Sequence, residues 1–213
     1  MIQQITQIFQ NYQAKPLGNV KEYATILPLI EINGQWHILY EVRGKFISHP
    51  SDTSFPGGKI ELGETPQEAA IREAYEEIGV DPQAIDIIGE LDYIVRDFRV
   101  VYCYVAVIRS YDFAQFQESD EVSRIFTVPL DYLLDKKPKF FPIHITENLA
   151  DHFPFEQIFP KQNYHKRQRD IEIPVYQLRP LVNENLWGLT AQLTHRFIEI
   201  IRQEGLTQQL TSK

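Results

Sequence analysis

Glu73, Glu76 and Glu77 fall within five positions of one another, and Glu61, Glu64 and Glu68 precede them in FPGGKIELGETPQEAAIREAYEEIGV, residues 55 to 80. Residues three and four apart are neighbours on a helix, so the last three glutamates form one stripe while Ala70, Ala74 and Ile78 form an apolar one. Only Arg72 stands beside them to offset the charge. Like charges so spaced destabilise a helix by about 0.2–0.5 kcal/mol per pair, and anions in a last turn also oppose the helix dipole. A bound hard cation reverses the sign of that cost. Mg2+ takes oxygen ligands in an octahedral shell, commonly one or two carboxylates with phosphate oxygens and water. The chemistry this suggests is metal-assisted attack at phosphorus. From the helix alone, a solvated acidic face is an equally open alternative.

The flanking residues fix where that helix starts and stops. Thr65, Pro66 and Glu68 make a capping box with proline at the first helical position. Gly79 supplies a left-handed terminus, and Val80, Asp81 and Pro82 cannot continue the helix. Upstream, Gly57 and Gly58 are expected to turn the backbone sharply towards the helix, with Phe55 and Pro56 as anchors.

Elsewhere, ATILPLIEI and WHILYEV read as strands of a hairpin turning at Asn33 and Gly34. IDIIGELDYIV and VVYCYVAVI are two more, with a polar connection holding Arg96, Asp97 and Arg99; RIFTVPL is a short one, and PLDYLLD a helical turn. Ile2, Ile5, Ile8 and Phe9 predict a short amphipathic helix over about residues 1–14, laid on the body of the domain. Prolines at 138, 142, 154, 160, 174 and 180 predict an irregular excursion over 138–180 with one strand at PVYQL. Leu186, Leu189, Leu193, Phe197 and Ile200 mark a last helix over about 184–203, with Trp187 beginning its core stripe; His144 reads as structural. This order gives a single α/β (α+β) domain over 1–213, a mixed sheet with helices packed on it.

Composition narrows the function classes. The 29 acidic and 21 basic residues leave a formal charge of -8, which argues against a general nucleic-acid surface. A single cysteine, Cys103, excludes an internal disulfide, fits a reducing compartment and reads as an apolar strand residue. The start MIQQITQIFQ lacks a basic n-region, and no apolar run approaches the roughly 18 residues of a membrane-spanning helix. A cytoplasmic protein with no membrane partner is the expectation.

The loop and helix together resemble the Nudix box: Gly58, Glu64, Arg72, Glu73, Ala74, Glu76, Glu77, Gly79 and Val80 fill every defined position at the family's spacing. The resemblance implies a Nudix-type α/β/α sandwich, a mixed β-sheet with helices on both faces, and hydrolysis of a nucleoside diphosphate derivative by water with Mg2+ or Mn2+. It implies Glu73, Glu76, Glu77 and the main-chain carbonyl of Gly58 as metal ligands. Arg72 would hold the carboxylates in place, chiefly through Glu64. The base that activates water would be Glu73 or a residue from FQESDEVSRIF, where Glu121 is preferred over Glu118 and Asp120.

The segment ILYEVRGKFISHPSDTSFPGGKIE is similar to the approach to the box in coenzyme A pyrophosphatases, as FTVPLDYLL and LWGLTAQL are to that subfamily's later segments. This implies coenzyme A or its thioesters as substrate, with Arg43, Phe55, Gly57, Gly58 and Glu64 on the substrate side. The chain departs from that pattern where Ile47 and Ser48 replace the neighbourhood of an arginine and Ser51 replaces a glycine. ADP-ribose or another nucleoside diphosphate sugar is the alternative substrate, and a catalytically silent nucleotide-binding module the alternative of another class. KQNYHKRQR, residues 161–169, is a basic cluster able to meet an extra phosphate, or a solvated loop. Either a monomer or a homodimer is compatible.

Overall fold

Asn33 and Gly34 take positive φ angles of 53° and 80°, as a two-residue hairpin turn requires, and join β1 (Lys21–Ile32) to β2 (Gln35–Arg43). The structure is a computed structural model and describes residues 1–13, 17–96, 98–146, 154 and 168–205. β1 lies at the centre of a mixed sheet. It pairs antiparallel with β2 and with the short β4 (Gly57–Lys59), and parallel with β6 (Arg99–Ile108), which pairs antiparallel with β5 (Ile85–Arg96). β3 (Thr53–Ser54) and β7 (Val122–Pro129) both attach to β2.

Strands buried on both faces read as continuous apolar runs, and β1 is one. Its alternate residues enter two cores. Ala24, Ile26 and Ile30, with Leu39 of β2, pack against Ala70, Ala74 and Ile78 of α2 (Pro66–Ile78). Leu27 and Leu29, with Ile38 and Tyr40 of β2, face Leu133 and Leu134 of α3 (Leu130–Asp135) and Leu193, Phe197 and Ile198 of α4 (Gly188–Gln203). The mixed sheet therefore carries helices on both faces, the sandwich that the resemblance implies. Cys103 is fully buried in the second core, where burial pushes its thiol up to about 12.

Three expectations need correction. The stretch from 138 to 180 is not irregular throughout: β8 (Lys139–Thr146) and β9 (Gln168–Gln177) pair antiparallel, and β10 (Asn185–Leu186) extends them to a second sheet. Proline is compatible with strands where no ladder bond is needed. Pro142 lies on the outer strand β8, and Pro174 precedes the part of β9 that pairs with β10. The last helix starts at Gly188 rather than near 184, because Leu186 is spent in β10. At the other end, α1 (Ile2–Asn11) buries none of its residues, so its apolar stripe is not laid on the domain. No helix among the described residues is long and apolar enough to cross a membrane.

Candidate active site

The site is assembled where β4 meets α2. Thr65 caps α2 as expected: its hydroxyl accepts from the Glu68 N–H, and the Glu68 carboxylate accepts from the Thr65 N–H at 2.8 Å. Gly79 closes the helix in the left-handed region at φ 71°. The glycines before the helix behave differently from the expected sharp turn. Gly57 and Gly58 are strand residues opposite Thr25 and Ala24, and their lack of a side chain serves close approach. A Cβ on Gly57 would come within 2.5 Å of the Ala24 carbonyl oxygen, and one on Gly58 within 2.3 Å of Glu73 Oε1. Just upstream, the Pro56 carbonyl accepts from the Ile26 N–H and the Thr25 hydroxyl, while Phe55 stacks on Tyr40 with ring centroids 5.0 Å apart. The loop is thus bolted to the sheet on one side and to the helix on the other.

The glutamates of α2 do not share one fate. Glu73 and Glu77 turn towards the sheet and line a cleft; Glu76 points outward with its side chain 52% exposed. Arg72 ties three of the acidic side chains together. Its Nε and Nη2 donate to the two oxygens of Glu64, and its Nη1 donates to Glu73 at 2.8 Å and to Glu76 at 2.9 Å. This guanidinium holds the Glu64 carboxyl below the usual range. Glu64 is therefore saturated as a brace and does not line the cleft, contrary to the expectation of a substrate contact.

Glu77 is the buried member. Its Oε2 accepts from the Gly57 N–H at 2.7 Å, yet burial and the nearby Glu41 carboxylate raise its pKa well above the ordinary carboxylate range. Burial likewise raises Glu73, against the pull of Arg72. Such shifts mark carboxylates whose desolvation outweighs the favourable contacts of their ionised form.

The cleft has a volume of about 770 Å3. Glu73, Glu77 and Glu121 bring acid to it, while Arg43, Lys59, Arg96 and Arg99 bring base. Of the three candidates in the 116–126 segment, Glu121 alone lines the cleft. Its loop is pinned by Gly44, whose N–H donates to the Glu121 carbonyl at 2.7 Å and whose Cα leaves no room for a Cβ against Asp120. Arg43 reaches back to donate to the Ser48 carbonyl at 3.0 Å. Ser51, where the subfamily pattern has glycine, has φ 65°, so the backbone keeps the left-handed conformation that glycine favours. Ile47 and Ser48 line the cleft without supplying a cation.

Several site residues were not singled out from the sequence. Trp187 is no core residue: it is 45% exposed, its indole N–H donates to Asp52, and it lines the cleft. Arg96 and Arg99 read only as a polar connection. Glu41, 1% exposed, lies near the end of β2 close to Glu77, and the signal was there to see as a lone carboxylate in the apolar run WHILYEV. His144, as expected, is away from the site and pairs with Asp170 on the second sheet. Of the basic cluster at 161–169, residues 161–167 lie outside the described residues.

A hard divalent cation suits this donor set. Among the described residues no three ligand side chains already converge on one point, but the carboxylates of Glu73 and Glu77 wall a single cleft. One buried carboxylate oxygen, Oε2 of Glu41, has no hydrogen-bond partner. Unpartnered anionic oxygen beside further carboxylates is what an oxygen-seeking cation satisfies.

A glycine-lined loop, a braced glutamate helix and a cleft lined by both carboxylates and cations suit an enzyme that cleaves diphosphates. The chain belongs to the family described as NUDIX domain, whose profile matches residues 23–171, and is a Nudix pyrophosphohydrolase. It is 28% identical over 202 residues to Nudix hydrolase 3 of Caenorhabditis elegans, covering 89% of this chain and 77% of that one. It is 32% identical over 132 residues to the peroxisomal coenzyme A diphosphatase NUDT7 of Mus musculus, covering 61% of this chain and 56% of that one. Among solved structures, a MutT/nudix family protein from Enterococcus faecalis superposes with a TM-score of 0.50 at 15% identity, over 95% of this chain and 69% of that one, a likeness of fold.

Proposed function

We propose that this enzyme hydrolyses the diphosphate of coenzyme A or its thioesters, releasing 3',5'-ADP and 4'-phosphopantetheine or its acyl form. The observation that carries the reading is the cleft itself, lined both by the carboxylates of Glu73, Glu77 and Glu121 and by the cations Arg43, Lys59, Arg96 and Arg99. The carboxylates would hold a cation that neutralises a diphosphate, and the basic side chains suit phosphate groups of the ligand. The left-handed Ser51 supports the same reading, since the departure from glycine leaves the loop conformation in place.

In this scheme Glu73, Glu77 and the Gly58 carbonyl, with Glu76 from the exposed side, hold Mg2+ or Mn2+. The ion supplies charge neutralisation at the diphosphate and acidification of bound water. Arg72 fixes the rotamers of Glu73 and Glu76 while Glu64 fixes Arg72. Glu121 or Glu73 accepts the proton of the attacking water. Arg43 contacts a phosphate. Phe55 acts from the core by holding the loop, given its 5% exposure. Hydrolysis of ADP-ribose or another nucleoside diphosphate sugar is the second reading, favoured by the cation-free Ile47 and Ser48 on the cleft wall.

Incubation with Mg2+ and a panel of coenzyme A, ADP-ribose and diadenosine polyphosphates, with products identified by mass, tests the proposal. Release of 3',5'-ADP from coenzyme A in preference to turnover of the others is expected. Preference for ADP-ribose overturns the substrate and points to Ile47, Ser48 and Ser51 as its determinants.

A further inference from the structure

Glu41 stands outside the box and is 1% exposed in a strand whose neighbours Tyr40 and Val42 are buried. Alternation places it on the same face of the sheet as Leu39, the face that α2 covers. An apolar residue would be expected there. Instead the site holds a carboxylate, and burying one without compensation costs several kcal/mol. Its Oε1 accepts from the Ser54 hydroxyl at 2.8 Å, which fixes its orientation; its Oε2 has no partner. The charges that reach it are chiefly those of Glu77, Glu73 and Glu121, opposed by Arg43, whose Nε is turned to Ser48. Arg72, the cation that quenches the rest of the acidic group, makes its hydrogen bonds to Glu64, Glu73, Glu76 and the Lys59 carbonyl.

We propose that Glu41 is a further ligand for a divalent cation: its free Oε2, held in place by Ser54, joins Glu77 in binding the ion from the sheet side of the site. The inference rests on the metal-dependent reading above and is independent of which diphosphate is cleaved. It gives the cation donors from both the helix and the sheet, so the ion clamps α2 to β2 as well as meeting substrate. The competing arrangement is a protonated Glu41 that serves only as a buried neutral group. Glutamine reproduces that neutral group almost isosterically, so the substitution separates the two.

The test is Mn2+ binding to the full chain without substrate, followed by electron paramagnetic resonance and by the rise in Tm that Mn2+ produces. Wild type, Glu41→Gln, Ser54→Ala and Glu77→Gln are compared. Weakening of Mn2+ binding by about tenfold or more in Glu41→Gln is expected, with a smaller loss in Ser54→Ala and a reduced Tm rise in both. Should Glu41→Gln fail to fold, the Ser54→Ala titration decides, because it disturbs only the orientation of Glu41. Wild-type affinity in the folded Glu41→Gln variant, or in Ser54→Ala where that alone is available, overturns the assignment while Glu77→Gln still reports on the box. Absence of specific Mn2+ binding by wild type overturns this inference and the metal-dependent reading together.

Discussion

The backbone N–H of Gly57 donates to Oε2 of Glu77 at 2.7 Å, and through this bond β4 holds the last turn of α2 against the sheet. The same carboxylate thus closes the loop and lines the cleft. Replacing Glu77 by Gln keeps a hydrogen-bond acceptor for Gly57 but removes the negative charge. Turnover of the preferred diphosphate substrate should fall by more than the roughly 10–100-fold typical of groups that only support metal ligands. Circular dichroism should remain that of the wild type, and unchanged activity would sink the placement of the metal.

Gly57 and Gly58 are adjacent, yet an added methyl meets different obstacles. At Gly57 it strikes the Ala24 carbonyl and Thr25 Cα, which are backbone of the central strand and cannot yield. Gly57→Ala should therefore lower stability by about 1–3 kcal/mol, measured by denaturant unfolding. At Gly58 it strikes the Glu73 carboxylate, the end of a side chain that can swing away. Gly58→Ala should be the more stable variant of the two and still lose turnover, because the motion that relieves the clash takes Glu73 from its place.

Arg72 makes its strongest link to Glu64, a residue with no surface in the cleft. Glu64→Gln should lower Mg2+ affinity or turnover by about 10–100-fold, since a freed guanidinium no longer fixes Glu73 and Glu76. Arg72→Lys should show a similar loss: one ammonium cannot reproduce the fork that engages three carboxylates at once. Mg2+ titrations of activity, which separate affinity from maximal rate, check both.

Much of this architecture was legible because its signals are local. The turn at Asn33 and Gly34, the capping box at Thr65 and the left-handed Gly79 each need only a few adjacent residues, and all three occur as read. Spacing also identified the glutamates of α2, but it did not separate Glu76 from Glu77. That difference depends on which flank of the helix meets β4, a contact between distant parts of the chain. Distance hid Trp187 and Glu41 as well. Apolar periodicity assigned Trp187 to the core, whereas pairing of Leu186 in β10 leaves the tryptophan lining the cleft, bonded to Asp52. The prolines of 138–180 argued against strands because proline propensity carries no information on which edge of a sheet is free.

Arg96 and Arg99 lie at the end of the β5–β6 hairpin and both line the cleft. A ligand with a phosphate beyond the diphosphate has more to gain from them than one without. Arg99→Ala should raise KM for coenzyme A severalfold and leave kcat within about twofold, the signature of uniform binding lost rather than of transition-state stabilisation. For ADP-ribose the change in KM should be smaller. Equal effects on both substrates would remove these arginines from discrimination and assign them to the shared diphosphate.

His195 of α4 is held by the Tyr176 hydroxyl of β9 at 3.1 Å and packed edge-on against Phe140 of β8, with Glu199 and Arg202 nearby on its own helix. Burial lowers its pKa below the ordinary 6.5, Arg202 adds to the effect and Glu199 opposes it. The fold therefore favours the neutral ring. A folded-state pKa below the unfolded one gives a contribution that is fully present above about pH 6.5 and lost as the pH falls through the lowered value. Wild-type Tm should drop on acidification from pH 7 to pH 5 by more than that of His195→Gln, which has no ring to protonate. Parallel thermal melts of the two proteins across that range measure the difference, and coincident slopes would show that the second sheet docks on α4 without this ring's neutrality.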